Sequence, residues 1–243
     1  MNLIIDVGNS FVKLAVFSRN TIKRKEVVDH KHLIEAVEKL KRQYPSIKRA
    51  VISSVGSLSN KDVSGVNDIL DLFVLDSNTK LPFTNKYKTP KTLGADRIAL
   101  VCASLRKFSN EHVLIIDAGT CITYDFINSE NEYLGGAISP GLRTRYKSLN
   151  NLTANLPLLD TEKPKDIIGN STKESIHSGV VNGILKEIDG VIEEYKLKYL
   201  DLTVILTGGD ANFLSKQLKS SIFANSNFLL EGLNFILQFN SNE

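Results

Sequence analysis

Apolar residues come in two rhythms along this chain. Short, mostly apolar runs, Ile4-Ile5, Leu14 to Phe17, Ala50 to Val55, Val113 to Ile116 and Leu202 to Leu206, are bounded by, or end in, turn or small polar residues. Such runs read as buried strands. Elsewhere the apolar positions recur every three or four residues, as at Leu33, Ile34, Val37 and Leu40 ahead of Pro45. The same spacing links Ile98, Val101, Cys102, Leu105 and Phe108, and then 176, 180, 181, 184, 185, 188, 191, 192 and 195 between about Lys173 and Tyr199. These spacings predict helices with one buried stripe. Thr21 to Val28 predicts a charged edge strand, 60–70 a weaker helix, and 72–75 a short strand. Tyr133 to Leu142 predicts a strand running into a glycine-rich turn, then a helix. Asn212 to Leu218 predicts a helix, Phe228 to Leu230 a last strand, and Leu233 to Phe239 a short helix. Strands and helices mixed in this way predict an α/β fold.

One strand-turn-strand pattern occurs twice. Ile4-Ile5-Asp6-Val7-Gly8-Asn9-Ser10-Phe11-Val12-Lys13 is echoed by Ile115-Ile116-Asp117-Ala118-Gly119-Thr120-Cys121-Ile122-Thr123, with the two aspartates 111 residues apart in a chain of 243. Each copy ends an apolar run in a carboxylate, follows with a small residue and a glycine, and resumes the apolar run. A tight turn of this kind exposes backbone N–H groups that cradle phosphate oxygens. The carboxylate beside it holds a cation, directly or through water. A single Asp-x-Gly turn is a common hairpin signal, but repetition at nearly half the chain length predicts two related lobes, 1–110 and 111–243, with a ligand cleft between them.

Composition narrows the class. Hydrophobic content of 42% and charged content of 23% are ordinary for a globular protein. With 30 basic and 27 acidic residues the net charge is +3, too balanced to argue for nucleic acid or a membrane surface. Cys102 and Cys121 make no CxxC or Cys/His cluster, so neither zinc nor a disulfide framework is expected and a reducing cytosol fits. No basic-then-apolar leader precedes the first strand, and no apolar run has the length of a membrane span. A Walker-type glycine loop and a Gly-x-Gly-x-x-Gly after a strand are both absent, which argues against a P-loop kinase and a dinucleotide enzyme.

Several positions carry candidate chemistry. Gly94-Ala95-Asp96-Arg97 places an anion and a cation in the first turn of a helix. Two readings fit: Asp96 complements the helix dipole, or Asp96 takes a hydroxyl proton while Arg97 binds a carboxylate by its planar fork. The preceding stretch Leu81 to Thr92, with Pro82, Pro90 and lysines 80, 86, 88 and 91, is either a solvated loop or a wall over a ligand. Thr207-Gly208-Gly209-Asp210 is a compact βα turn, or a seat for a flat ligand such as adenine. Lys13 is solvated, or stabilises transferring charge beside the first turn. Ile168 to Lys173 reads as a helix cap, or as a cap that also touches substrate. The four histidines are scattered, without nucleophile-base spacing, and 150–169 is not assigned.

The paired Asp-x-Gly turns and the late Thr-Gly-Gly resemble the actin-like ATPase and sugar kinase superfamily. Tyr87-Lys88-Thr89-Pro90, Gly94 to Arg97, and Gly135-Gly136-Ala137-Ile138-Ser139-Pro140-Gly141 narrow the resemblance to type III pantothenate kinases. The resemblance implies two duplicated actin-like (ribonuclease H-like) lobes, each a mixed sheet with flanking helices. It implies transfer of the ATP γ-phosphate to the hydroxyl of pantothenate, the first step towards coenzyme A. Asp96 would be the proton acceptor. Asp6, Val7, Gly8, Asn9, Ser10, Phe11, Val12, Lys13 and Thr120 would contact ATP, used with Mg2+. Asp117 would hold a monovalent cation, K+ or NH4+. Tyr87, Gly94, Ala95, Asp96, Arg97 and Thr172 would contact pantothenate. Members of the family are cytoplasmic homodimers. Ser10 stands where Thr is more frequent and Cys121 where a small residue is usual. The competing expectations are a kinase for another small hydroxy acid and a nucleotide-binding regulator without turnover.

Overall fold

The computed structural model describes residues 1–8, 11–54, 58–76 and 78–241. It forms two compact units: Met1–Lys107 together with the C-terminal stretch that starts at Asn227, and Phe108–Ser226.

In the first unit, β1 (Asn2–Val7), β2 (Val12–Ser18) and β3 (Thr21–Val28) form an antiparallel meander. After α1 (Leu33–Gln43), β4 (Arg49–Ser54) adds parallel to β1, and after α2 (Asn60–Ile69), β5 (Asp71–Val74) adds parallel to β4. The sheet order is β3-β2-β1-β4-β5. Strand side chains alternate between faces. Leu3, Ile5 and Val7 therefore pack with Val37 and Leu40 of α1 and Val66 of α2, while Ile4 and Asp6 face the other way. Ile4, Ala15, Phe17 and Val51 on that second face are also buried, which is why the β1 run is apolar throughout. Among the described residues from 75 to 94, the regular structure is a two-residue strand β6 (Thr84–Asn85) and a tight turn at Pro90–Thr92. It leads into α3 (Ala95–Lys107).

The second unit repeats the plan. β7 (Val113–Ala118), β8 (Cys121–Ile127) and β9 (Glu132–Pro140) form the meander. Then come α4 (Leu142–Asn151), α5 (Thr172–His177), a π turn at Ser178–Asn182 and α6 (Gly183–Lys198). β10 (Thr203–Thr207) pairs parallel to β7, and after α7 (Ala211–Ser215), β11 (Phe223–Ala224) pairs parallel to β10. The order runs β11-β10-β7-β8-β9, the same connectivity as the first sheet. Leu114, Ile116 and Ala118 pack beneath α4, α5 and α6 with Tyr146, Ile176 and Ile188. Asp117 thus faces away from that core, as Asp6 faces away from α1 and α2.

The structure departs from the sequence pattern at four places. Residues 228–230 are not a strand: they open α8 (Phe228–Asn240), and the strand lies earlier, at Phe223–Ala224. The tail from Asn227, expected with the second lobe, belongs to the first unit. α8 packs there against β1, β4 and α3. Gly232 lets the two helices touch, since a Cβ on it would lie 1.9 Å from the Ala99 carbonyl oxygen. Third, α3 is buried continuously from Arg97 to Leu105 rather than along one stripe. Fourth, Gly135 and Gly136 lie inside β9, at the irregularity opposite Phe126 and Ile127, and the turn comes only at Gly141. The long helix predicted from Lys173 is present as α5, the π turn and α6.

Candidate active site

The first hairpin sets Asp6 at the penultimate position of β1, opposite Lys13 on β2 and beside Ser53 on β4. Asp6 is buried, at 7% exposure. Its Oδ1 accepts from Ser53 Oγ at 3.1 Å, and its Oδ2 lies 3.6 Å from Lys13 Nζ. Burial raises the Asp6 pKa; Lys13 and the Ser53 hydroxyl oppose this, and the Asp96 charge adds to it. A carboxylate held in this way has more to gain from a neighbouring cation than one in water. Val7 and Val12 close the hairpin as a buried pair. The Gly8 N–H donates to the Phe11 carbonyl at 3.0 Å. Phe11 is exposed and lines a cavity of about 520 Å3 with Glu26, Val28, His32 and Ala36. Asn9 and Ser10 lie outside the described residues.

The same unit contains the Gly94–Arg97 segment. Asp96 sits in the first turn of α3, and its Oδ1 accepts the Arg97 N–H at 2.8 Å. Gly94 makes room for this carboxylate, since a Cβ there would lie 2.3 Å from Asp96 Oδ1. Ala95 is the first residue of α3 and is half-buried. Arg97 is buried, at 6% exposure, and its guanidinium carbon lies 5.5 Å from the Tyr87 ring centroid. Tyr87 is oriented by its own N–H, which donates to Asn85 Oδ1 at 2.9 Å. A buried guanidinium against an aromatic face is a strong site for a carboxylate, because little water competes for its donors. The first unit therefore brings together Asp6, Lys13, Tyr87 and Gly94 to Arg97.

The second unit carries the other hairpin. Asp117 sits at the penultimate position of β7, opposite Thr123 and beside Thr207. Gly208 lies against it with φ of +96°, and a Cβ there would be 2.4 Å from Asp117 Oδ1 and 2.3 Å from the Ala118 carbonyl oxygen. Only glycine fits that conformation and that space. The Gly119 N–H donates to the Cys121 carbonyl at 2.9 Å. Thr120 is exposed at the tip. Thr172 is exposed as the first residue of α5, which Ser171 caps by accepting the Glu174 N–H at 3.3 Å. Thr172 lines a cavity of about 770 Å3 with Leu149, Leu156, Gly169 and Ile176.

Ser53 was not singled out from the sequence as a site residue. The signal for it is a hydroxyl residue near the end of an otherwise apolar strand. Among the described residues no group of three or more His, Cys, Asp or Glu side chains gathers to hold a metal. A cation here would rest on one or two carboxylates and substrate phosphates, the usual habit of magnesium. Among the described residues no helix is long and apolar enough to cross a membrane.

The profile of the type III pantothenate kinase family matches residues 2–194. The chain belongs to that family. It is 52% identical to the type III pantothenate kinase of Christiangramia forsetii over 243 residues, covering all of both chains. It is 47% identical to the Flavobacterium johnsoniae member over 239 residues, covering 98% of each. Among solved structures it resembles a Baf family transcriptional activator from Campylobacter jejuni, with TM-score 0.68, 21% identity and coverage of 99% and 100%. It also resembles a ROK hexokinase from Thermus thermophilus, with TM-score 0.54, 11% identity and coverage of 100% and 99%. These two likenesses concern the fold alone.

Proposed function

We propose that this family member transfers the γ-phosphate of ATP to the hydroxyl of pantothenate, giving phosphopantothenate on the route to coenzyme A. The observation that carries the reading is the meeting, within one unit, of a phosphate-type hairpin (Asp6 with Lys13) and a helix start that carries a carboxylate, Asp96, next to the buried Arg97 whose backbone N–H it accepts. Pantothenate offers a carboxylate for Arg97 and a primary hydroxyl for Asp96. On this reading Arg97 and Tyr87 hold the acid end of the substrate, with Gly94, Ala95 and Thr172 completing its contacts. Asp96 accepts the hydroxyl proton as the oxygen bonds to phosphorus and the bond to the leaving ADP breaks. Alignment and charge neutralisation contribute more to such a transfer than the base does. Residues 6–13 and Thr120 meet ATP, and Lys13 offsets negative charge developing on the transferred group.

The donors present suit hard cations. Asp6 is a buried carboxylate whose raised pKa marks a shortage of compensating charge. Asp117 lies beside the Ala118 carbonyl and the Gly208 backbone. Mg2+ near Asp6 and K+ or NH4+ near Asp117 would neutralise the phosphates. The exposed Leu152, Ile167, Ile168, Leu197 and Leu200 offer apolar surface that a second copy would cover, in keeping with a cytoplasmic homodimer.

The test is coupled ADP release with and without pantothenate, at varied potassium, for the parent and Asp96→Asn. The expected result is pantothenate-dependent turnover that falls about 10²- to 10⁴-fold in Asp96→Asn, with ATP binding retained. Unchanged turnover would remove Asp96 from its role. ATP binding without pantothenate-dependent ADP release would mean a nucleotide-binding regulator instead.

A further inference from the structure

Behind the second phosphate-type turn lies a chain of polar contacts that no step above uses. The Thr120 carbonyl accepts two hydrogen bonds from the start of α4, from the Gly141 N–H at 3.1 Å and from Thr144 Oγ1 at 2.6 Å. Gly141 must be glycine for this approach, since a Cβ on it would lie 2.0 Å from the Gly119 carbonyl oxygen. The Gly141 N–H belongs to the Pro140–Gly141 peptide. The oxygen of that same peptide accepts from Arg145 Nε at 2.8 Å. The other arm of Arg145 pairs with Glu187 Oε2 on α6. Glu187 Oε1 accepts from Ser139 Oγ at 2.5 Å and from Tyr124 Oη at 2.9 Å. Burial of Glu187 works against its charge, but the Ser139, Arg145 and Tyr124 contacts outweigh it and hold its pKa below the usual range.

A trans peptide is planar, so its C=O and N–H point in opposite directions. Fixing the Pro140 oxygen therefore aims the Gly141 N–H, and the Gly141 N–H in turn fixes the plane of the Thr120–Cys121 peptide. We propose that Arg145 and Glu187 are positioning residues for the Gly119–Thr120 turn, holding its backbone in the orientation that receives the ATP phosphates. This rests on the reading of that turn as a nucleotide contact. Arginine suits the place because its rigid fork spans a carbonyl and a carboxylate at once, which a lysine ammonium does not. The device acts on ATP and leaves the pantothenate contacts of the first unit alone.

The test measures kcat, both KM values, ATP-analogue affinity by calorimetry, and Tm for Arg145→Ala, Arg145→Lys, Glu187→Gln, the Arg145→Ala/Glu187→Ala double variant and Thr120→Val. The expected result is an ATP KM raised roughly tenfold in Arg145→Ala and somewhat less in Arg145→Lys and Glu187→Gln, with pantothenate KM within about twofold of the parent. The double variant is expected to be no worse than Arg145→Ala, because the two residues act in series. Should Arg145→Ala not fold, Arg145→Lys and Glu187→Gln carry the test. Weakened ATP binding in Thr120→Val with normal ATP binding in the Arg145 and Glu187 variants would overturn the proposal alone. Normal ATP binding in all of them would overturn it together with the reading of the Thr120 side chain as a nucleotide contact. Equal rises in both KM values, tracking a lower Tm, would reduce the network to a structural brace.

Discussion

Ser53 donates its hydroxyl to Asp6 across the parallel β1–β4 pair, at 3.1 Å from Oδ1. Thr207 holds the matching place beside Asp117 in the second unit. Burial raises the Asp6 pKa, and the Ser53 bond is one of the forces that draws it back. Ser53→Ala removes that opposition, so Asp6 should take its proton at higher pH. The expected outcome is an acidic limb of the kcat/KM profile displaced to higher pH, with the rate well above that limb changed less than about threefold. A profile that superimposes on the parent would show that Asp6 ionisation does not govern the rate.

Asp6 also links stability to pH. Burial lifts its folded-state pKa above that of a free aspartate, so the folded chain binds this proton more tightly than the unfolded chain. The stability it contributes is full below the unfolded pKa and is lost as pH rises through the folded pKa. Near neutrality the ionised carboxylate is thus a net cost to the fold. Asp6→Asn should raise Tm at neutral pH, with the gain shrinking towards zero below about pH 4. Activity should fall on the order of 10²-fold in the same variant. Thermal denaturation across pH checks this, and a Tm difference independent of pH would contradict it.

Much of the fold is legible in the residues because local and global signals agree. β1, β4 and β7 are short apolar runs with a polar residue at or next to the strand's end, and α1 carries one clean stripe ahead of Pro45. The duplicated Asp-x-Gly turns announced the shared strand order. The last helix was not legible: Phe228-Leu229-Leu230 satisfies a strand template as well as a helix start, and only packing on α3 decides between them. The full burial of α3 was hidden for a similar reason, since Arg97 and Ser104 look like a polar face until α8 and the substrate segment are in place. At the site, Asp6, Lys13, Asp96 and Arg97 could be picked out by type and spacing. Ser53 could not, because its role comes from strand pairing across 47 residues of sequence. The Glu187–Arg145 pair, 42 residues apart on two helices, left no local pattern at all.

Asn234 explains why the tail returns to the first unit. It is fully buried on α8. Its amide donates to the Arg19 carbonyl at 2.9 Å in the β2–β3 turn, and its oxygen accepts from Asn2 Nδ2 at 3.1 Å on β1. Asn234→Ala leaves the Asn2 amide and part of the Arg19 carbonyl demand unmet in a partly buried place. The expected cost is about 1 kcal/mol, read as a lower urea midpoint. Asn234→Asp should cost more, because it buries a charge with no cation beside it. Unchanged midpoints in both variants would mean that apolar burial alone, through Leu230, Leu233, Ile236 and Leu237, docks the helix.

Arg97 gives the sharpest test of substrate identity. Its guanidinium is buried against Tyr87, a place that rewards a planar, doubly hydrogen-bonded carboxylate. Arg97→Lys keeps the charge but loses the fork and the stacking surface. The KM for pantothenate should rise roughly tenfold to a hundredfold while that for ATP stays within about twofold. Tyr87→Leu should have a smaller effect of about fivefold, from loss of the cation–π contact and of ring order. The decisive measurement is the ratio of kcat/KM for pantothenate to that for its alcohol analogue, in which the carboxylate is replaced by a hydroxymethyl group. The parent should prefer the acid strongly, and Arg97→Met should nearly abolish the preference. A ratio that survives Arg97→Met would place the carboxylate elsewhere, and with it the orientation that brings the substrate hydroxyl to Asp96.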